Sequence, residues 1–373
     1  MNSKNIATPV WQSITAAQAA PLSLTPPQDA RIGLLRHWLG TLNPTLQLQA
    51  QSLRIASADA SFRRYFRIDS TLADTPSWIV MDAPPPQEDI APFVAVQALL
   101  AQAGLRAPMI KAQDPGQGFL LLGDFGDQTL LEALRTDPAG EHLQQRYRSA
   151  ITALVRMQSC GPKASASGLP AYDQTLLMRE LALYPEWYVA RHRGVKLSAP
   201  QLAQLQKGFE TLVQAILTQP RVTVHRDWHA RNLMVLPGTT ELGILDFQDA
   251  VDGPLTYDLV SLLRDAYISW DDERVLDWAV RYWEQARAAG IAVQPDFGTF
   301  WRDFEWMGLQ RHLKVLGIFA RLRWRDGKER YLADLPRVLR YVTAVAHRYD
   351  ALLPLARIID RVEGTPLQAG LTF

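Results

Sequence analysis

Residues 224–250 read VHRDWHARNLMVLPGTTELGILDFQDA. Two short apolar runs, 233–236 and 242–245, flank a Pro-Gly turn, a pattern that predicts a β-hairpin. A hairpin brings the open ends of its two strands together. Asn232 enters the first strand and Asp246 leaves the second, so their side chains are predicted to meet.

The residues around this hairpin suit phosphoryl transfer. Such chemistry needs a carboxylate that orients and deprotonates the attacking hydroxyl, and oxygen ligands that hold magnesium on the ATP phosphates. The segment HRDWHARN, 225–232, matches His-Arg-Asp-x-x-x-x-Asn at every fixed position. Each residue also has an ordinary alternative role, because Asp227 and Asn232 can serve as turn residues and Asp246 can cap the following segment.

Patterns on either side of the hairpin predict an α+β protein with two lobes. Upstream, a helix at 31–40 that Gly40 ends precedes strand-like segments at 61–69, 77–83 and 118–125 and a helix that ends at Gly104. Downstream, long helical patterns dominate, at 128–136, 141–158, 173–193, 199–218, 256–269, 272–288, 297–324 and 330–353. A small β-rich lobe followed by a large helical lobe is therefore expected.

Composition and charge indicate which classes of molecule the protein is expected to bind. The net charge of +1 provides no strong field for nucleic acid or an anionic membrane, so a small-molecule partner and a monomer are expected. No apolar run approaches the roughly 18 residues of a membrane span. The single cysteine, Cys160, excludes an internal disulfide framework, and a reducing cytoplasm fits best. Residues 1–30 lack the pattern of a signal peptide and are expected to form a poorly ordered tail.

At these motifs the chain resembles the aminoglycoside phosphotransferase-like superfamily of small-molecule kinases, which shares the bilobal protein-kinase fold. The HxDxxxxN loop of that family appears as HRDWHARN, and its magnesium strand appears as GILDFQDA. The resemblance implies that Asp227 is the catalytic base and that Asn232 and Asp246 bind Mg²⁺. It also implies a structural role for Asp258. Only eleven residues separate Asp246 from Asp258, which leaves no room for the activation loop of a protein kinase.

The first lobe departs from the usual family pattern in a way that points to one subgroup. Its ATP loop, near 57–68, has no glycine, and Met81 stands where a phosphate-pairing lysine is expected. The phrases WIVMDAPPPQEDIAPFV and MGLQRHLKVLGIFARL resemble the anomeric sugar kinases of peptidoglycan recycling. These enzymes phosphorylate N-acetylmuramate and N-acetylglucosamine at the C1 hydroxyl, using ATP and Mg²⁺. The resemblance therefore implies a nucleotide-binding N-lobe, 31–123, and a C-lobe, 124–373, that carries the catalytic loop and the sugar site.

A second motif, Asp124-Phe125-Gly126, looks like the magnesium triplet of protein kinases but precedes the catalytic loop. A magnesium aspartate has to follow that loop, as Asp246 does, so the triplet is interpreted as the junction between the lobes. Backbone groups of Leu122, Gly123 and Asp124 are predicted to bind adenine there. Two further features are candidates for binding the nucleotide. The small side chain of Ser61 would allow a phosphate to approach the backbone closely, and Arg63 or Arg64 would supply a cation.

Six residues near the motifs are candidates for binding the acceptor. The lactyl carboxylate of muramate favours a cationic partner, and loop or helix residues near the motifs provide the candidates. They are Trp228, His229, Arg231, Asp249, Arg264 and Arg311. Core packing remains the alternative for Trp228, and a turn or loop role remains the alternative for His229 and Asp249.

Two other functions stay open at this point. The first is another small-molecule kinase of the same fold, acting on an amino alcohol, an antibiotic or a different sugar. The near-neutral charge disfavours a polycationic antibiotic. The second is a nucleotide-binding pseudokinase. It is motivated by the first lobe, which lacks both the phosphate-pairing lysine and the glutamate that the following helix usually supplies as its partner, and it is opposed by the intact motifs around Asp227.

Overall fold

The computed structural model describes residues 30–58, 62–137, 140, 142–160 and 168–364. The chain divides into two compact units: residues up to Val94 with Pro108–Asp124, and Ala95–Ala107 with Phe125 onward. The expected tail lies outside the described residues except for Ala30, which begins the first helix. The predicted α+β class, with a small antiparallel sheet and a helical remainder, is confirmed.

The first unit is a five-stranded antiparallel sheet with the strand order β1-β2-β3-β5-β4. Buried and partly exposed residues alternate along β2, as in a strand with one face in the core, whereas β5 is buried along four successive residues. Phe66 and Ile68 face the same core as Trp78 and Val80 of the neighbouring strand. The elements of this unit are α1 (Ala30–Leu46), β1 (Arg54–Ala58), β2 (Arg64–Asp69), β3 (Ser77–Asp82), β4 (Ile110–Asp114) and β5 (Phe119–Gly123). Helix α2 (Ala91–Gln102) begins in this unit and continues in the second.

Helix α1 is longer than the sequence predicted. The expected stop at Gly40 is wrong, because the helix continues to Leu46. Leu39 and Leu46 are both buried in the core of the first unit. Packing of these side chains outweighs the weak helix propensity of one glycine, which costs about 1 kcal/mol relative to alanine. By contrast, the predicted stop at Gly104 is confirmed, and Gly104 has φ +67 just beyond α2.

The second unit is mainly helical, with two strand pairs beside residues 225–232, the predicted catalytic loop. Strand β6 (Arg221–Val224) pairs with β9 (Val251–Pro254), and β7 (Leu233–Val235) pairs with β8 (Leu242–Ile244). The helices are α3 (Leu130–Arg135), α4 (Leu143–Cys160), α5 (Gln174–Leu181), a π-helix (Tyr184–His192), α6 (Ala199–Leu217), α7 (Tyr257–Leu263), α8 (Asp272–Ala288), α9 (Phe297–Trp324), α10 (Leu335–Arg348) and α11 (Leu353–Glu363).

The 28-residue helix α9 is the central element of this unit. It packs against the π-helix, α6, α7 and α10, so polar as well as apolar side chains along it are buried. Gly317 permits a close approach to the segment before the π-helix, since a Cβ atom there would lie 2.5 Å from the carbonyl carbon of Leu183. Helix α9 therefore carries buried charges into the interior beside the catalytic loop.

Residues Ala95–Ala107 group with the helical unit, whereas the sequence pattern placed them with the sheet. Hydrogen bonds explain the difference. The Ile244 N–H donates to the peptide oxygen of Arg106 at 2.8 Å, and Arg156 Nη1 donates to that of Gly104 at 3.2 Å. These bonds connect the end of α2 to the hairpin and to α4.

Candidate active site

The hairpin brings together the two residues that were expected to meet. Leu233 pairs with Ile244, so the flanking residues emerge side by side at the open end. Asn232 Nδ2 donates to Asp246 Oδ2 at 3.2 Å, and the Leu245 N–H donates to the Asn232 peptide oxygen at 2.9 Å. The predicted proximity of Asn232 and Asp246 is therefore confirmed.

Asp227 lies in the loop between β6 and β7, and its carboxylate is accessible. Its side chain is 42% exposed. Its peptide oxygen accepts hydrogen bonds from Asn232 Nδ2 at 3.1 Å and from the His229 N–H at 2.9 Å. Burial alone would raise its pKa, but groups that are positive when it titrates, chiefly His229 and then Lys314 and Arg311, hold that pKa below its ordinary value. At neutral pH the carboxylate is ionised and able to accept a proton.

Asp258 holds the start of the catalytic loop. It lies in the first turn of α7, is 0% exposed, and accepts from the backbone N–H of His225 at 2.6 Å and of Arg226 at 2.9 Å. Burial raises the pKa of Asp258 to about 7, although the two amides oppose that rise. Arg226 has φ +77, a left-handed conformation that costs a non-glycine residue about 1–2 kcal/mol. The bonds to Asp258 help to maintain this conformation and so fix the direction of the loop.

A buried ionic network that sequence reasoning missed supports the same loop. Glu180 of α5 accepts from Arg226 Nη2 at 2.7 Å and lies 2.9 Å from Lys314 Nζ of α9. The Tyr172 hydroxyl and Gln310 Nε2 also donate to Glu180. Burial would raise the pKa of Glu180, but Lys314 and then Arg226 outweigh it and lower that pKa to about 2. The sequence signal that could have revealed this network was the charged Glu180, which lies on the buried face of α5 with Leu177 and Leu181.

His225 and Trp228 are interior residues of the loop. His225 is buried and its Nδ1 accepts from the Asp227 N–H at 3.2 Å; burial lowers the pKa of His225 to about 4, so the ring is neutral. Trp228 is fully buried and packs edge-on against His225, with ring centroids 5.5 Å apart. A fully buried ring offers no exposed face to a sugar, so the structure favours core packing for Trp228.

The remaining acceptor candidates of the loop and hairpin are His229, Arg231 and Asp249. His229 Nε2 lies 3.9 Å from Asp227 Oδ1, and burial lowers the pKa of His229. The guanidinium of Arg231 lies over the Tyr267 ring, 4.6 Å from its centroid. Asp249 is exposed.

Arg264 and Arg311 have different surroundings. Arg264 Nη2 bonds Asp272 Oδ1 at 2.7 Å, and the Arg264 peptide oxygen lies 2.8 Å from His312 Nε2. Arg311 of α9 is buried, and its guanidinium lies over the Tyr257 ring, 5.8 Å from the centroid. Burial would lower the pKa of Arg311, but Tyr257 and then Asp227 raise it.

The nucleotide candidates lie in the first unit, except that Ser61 lies outside the described residues. Arg64 Nε donates to Asp82 Oδ2 at 2.9 Å, opposite in register, and Arg31 Nε donates to the other carboxylate oxygen at 2.7 Å. Asp82 is fully buried, so both guanidinium groups are held in place. Arg63 forms an ion pair with Glu88 at 2.9 Å.

The predicted adenine segment also has defined contacts. Leu122 is buried in β5, and the Gly123 N–H donates to the Met109 peptide oxygen at 2.9 Å. Asp124 accepts from Arg67 Nε at 2.6 Å and from the Ser77 hydroxyl at 2.7 Å. The aspartate of the Asp124-Phe125-Gly126 motif therefore forms an ion pair within the sheet unit.

Comparison with known proteins identifies the family of the chain. Residues 52–292 match the phosphotransferase enzyme family. The chain belongs to this family. It is therefore a phosphotransferase, and the resemblance drawn from its motifs is confirmed.

Relatives with curated names extend over nearly the whole chain. The chain is 46% identical to the N-acetylmuramate/N-acetylglucosamine kinase of Neisseria meningitidis serogroup B over 341 residues, which cover 91% of this chain and 98% of that protein. It is 49% identical to the protein of the same name from Pseudomonas aeruginosa over 329 residues, which cover 86% and 94%.

Solved structures confirm the fold. ADP-bound aminoglycoside phosphotransferase APH(2'')-Ib matches with a TM-score of 0.53 and 14% identity, covering 82% of this chain and 97% of that one. The choline kinase LicA of Streptococcus pneumoniae matches with a TM-score of 0.57 and 12% identity, covering 84% and 99%. Among the described residues, no helix is both long and apolar enough to cross a membrane.

Proposed function

We propose that this protein transfers the γ-phosphoryl group of ATP to the C1 hydroxyl of N-acetylmuramate and N-acetylglucosamine, as a step of cell-wall recycling in the cytoplasm. The observation that carries the proposal is the identity of 46–49% with kinases named for these two sugars. The grouping of Asp227, Asn232 and Asp246 at one end of a hairpin supports it, because these are the groups that phosphoryl transfer requires.

Asp227 is the proposed base. Its ionised, partly exposed carboxylate accepts the proton of the C1 hydroxyl as the sugar oxygen bonds to the γ-phosphorus. The bond between that phosphorus and the β–γ bridging oxygen breaks, and ADP leaves with the electron pair. An anomeric hydroxyl is more acidic than an ordinary alcohol, so a carboxylate is a sufficient acceptor for its proton. The products are a sugar 1-phosphate, ADP and a protonated Asp227.

The donor set fits Mg²⁺. Magnesium prefers oxygen ligands and usually takes one or two from the protein and the rest from phosphates and water. Asn232 and Asp246 supply an amide oxygen and a carboxylate, and Gln248 Nε2 orients the carboxylate through Asp246 Oδ1 at 2.8 Å. A bound Mg²⁺ would neutralise phosphate charge at these two residues.

The proposal is tested by ³¹P NMR of the purified protein with ATP, Mg²⁺ and a panel of free sugars. We expect a sugar 1-phosphate doublet, coupled to the anomeric proton, with both amino sugars. Asp227→Asn should lower kcat by about 10²–10⁴-fold, the usual contribution of a general base. Asp277→Asn, on the exposed side of α8, is the matched control and should keep full activity.

Other outcomes separate the alternative functions. Phosphate on C6, or turnover only with an amino alcohol, an antibiotic or a different sugar, would replace the proposal by another small-molecule kinase. Nucleotide binding without transfer to any acceptor, unchanged in Asp227→Asn, would identify a pseudokinase.

A further inference from the structure

Two side chains of the loop 225–232 face each other at a distance that is too long for a hydrogen bond. His229 Nε2 lies 3.9 Å from Asp227 Oδ1, whereas hydrogen-bonded nitrogen and oxygen atoms lie about 2.7–3.2 Å apart. Both side chains reach solvent, since that of Asp227 is 42% exposed and that of His229 is 12% exposed. The structure shows no hydrogen bond from Nε2 to any described residue. Both atoms are therefore available to a group placed between them.

The separation of these two atoms suits a shared hydroxyl group. An oxygen atom about 2.8 Å from each of them would see them at roughly a right angle. The O–H bond and the lone pairs of a hydroxyl are arranged roughly tetrahedrally, so the group can donate to a carboxylate and accept from an imidazole N–H at such an angle. An ionised phosphate oxygen has no proton to donate and would be repelled by the Asp227 carboxylate. The pair therefore favours an acceptor hydroxyl over a phosphate oxygen of the nucleotide.

Contacts within the same unit fix the position of the imidazole. The His229 ring packs edge-on against that of Tyr267, with centroids 5.4 Å apart, and its Nδ1 is closed to solvent. The buried carboxylate of Asp265 accepts from the Tyr267 N–H at 2.8 Å and from the Ala230 N–H at 3.0 Å. One carboxylate thus joins the residue after His229 to the residue whose ring His229 contacts. The ring is therefore held in place while Nε2 faces the base.

We propose that His229 binds the acceptor hydroxyl between its Nε2 and Asp227 Oδ1 and so orients the hydroxyl proton toward the base. This inference rests on the proposed function, in which that hydroxyl is the C1 hydroxyl of the amino sugar. An Nε2–H of His229 donates to the oxygen that attacks the γ-phosphorus, while Asp227 accepts the proton of the same oxygen. Asp265 and Tyr267 are positioning residues, because they act through His229.

The kinetic test compares kcat/KM for N-acetylglucosamine in the wild type, His229→Asn and His229→Gln. The amide nitrogen of glutamine can occupy the position of Nε2, whereas that of asparagine reaches only the position of Nδ1. Loss of orientation at a reacting oxygen should lower kcat/KM by about 10- to 100-fold in His229→Asn. His229→Gln should stay within about 3-fold of the wild type, because it keeps a hydrogen-bonding group beside the base. The KM for ATP should not change in either variant.

Calorimetry with a matched pair of sugars measures the contact itself. The 1-deoxy analogue of N-acetylglucosamine lacks the C1 hydroxyl, so the wild type should bind it more weakly than the sugar. His229→Asn should reduce that difference in affinity by about 2- to 12-fold, the contribution of one hydrogen bond between neutral groups. A purely structural role of His229 would weaken the binding of both compounds alike. His347→Asn is the matched control, because His347 is an exposed histidine of α10 whose Nε2 lies 2.9 Å from Asp360 Oδ1, and it should change neither measurement.

Either of two results would overturn the role of His229: wild-type kcat/KM in His229→Asn, or a preference for N-acetylglucosamine over its 1-deoxy analogue that this variant leaves unchanged. Tyr267→Leu removes the ring that His229 packs against, so it provides a second variant and should reduce the same preference. Failure of the proposed function is distinct, because the wild type would then transfer phosphate to neither sugar in the ³¹P NMR assay. The assignment of the C1 hydroxyl to His229 would fail with it.

Discussion

Replacement of Asp258 by alanine should release the start of the catalytic loop. The Asp258 carboxylate is 0% exposed and accepts from the backbone N–H groups of His225 and Arg226. Alanine leaves both amides buried without an acceptor. Each unsatisfied amide costs about 1–3 kcal/mol, so unfolding should become easier by about 2–6 kcal/mol.

The effect on catalysis follows from the position of the base. Asp227 directly follows Arg226, whose φ of +77 is maintained partly by Asp258. Without that bond the strained residue can relax and displace the carboxylate of Asp227. A displacement of about 1 Å at a reacting group can lower the rate by about 100-fold. The expected signature is a fall in kcat that accompanies the loss of stability.

Urea denaturation and steady-state kinetics on the same preparations measure both effects. Asp258→Asn keeps one accepting oxygen and should fall between the wild type and Asp258→Ala. Asp277→Ala is the matched control, because it removes an aspartate that pairs with Arg281 on the exposed side of α8. Such an exposed pair contributes about 0.3–0.5 kcal/mol. If Asp258→Ala keeps the stability and the kcat of the wild type, Asp258 does not hold the loop.

Two further predictions concern packing and pH. Gly317→Ala should destabilise the protein by about 1–3 kcal/mol in urea denaturation, because its Cβ would lie 2.5 Å from the Leu183 carbonyl carbon. Gly40→Ala in α1, whose Cβ would meet nothing within 4 Å, should be neutral or stabilising, and equal effects of the two would refute the close approach. Because the pKa of Asp227 is lowered, its ionised form persists to more acidic pH, and the acid limb of kcat/KM for N-acetylglucosamine should lie below the ordinary range of aspartate. An acid limb near neutral pH that shifts in Asp227→Glu would contradict this prediction.

The geometry of the candidate catalytic motif could be predicted from sequence because its contacts are local. Asn232 and Asp246 are joined by a hairpin whose turn and apolar runs fix the register, so their proximity follows from spacing. The family resemblance rests on the same short segments. The helical periodicity of 297–324 likewise predicted α9 with its observed bounds.

The structural features missed by the sequence interpretation depend on long-range packing. Periodicity shows which face of a helix is buried but not which residue lies opposite. It could not pair Glu180 with Arg226 and Lys314, which come from three separate elements. The continuation of α1 past Gly40 has the same cause, since burial of Leu46 outweighs local propensity.

The Asp124-Phe125-Gly126 motif and Arg311 illustrate what the sequence and the tertiary structure each determine. The order of the motifs along the sequence distinguished Asp124 from Asp246, the proposed magnesium ligand, and the structure shows the Asp124 carboxylate bound to Arg67 and Ser77. For Arg311 the sequence provided a cation on a helix. The tertiary structure alone shows that this cation is buried over the Tyr257 ring and that its Nε and Nη1 have no partner among the described residues, because burial and hydrogen bonding depend on every element packed around a side chain.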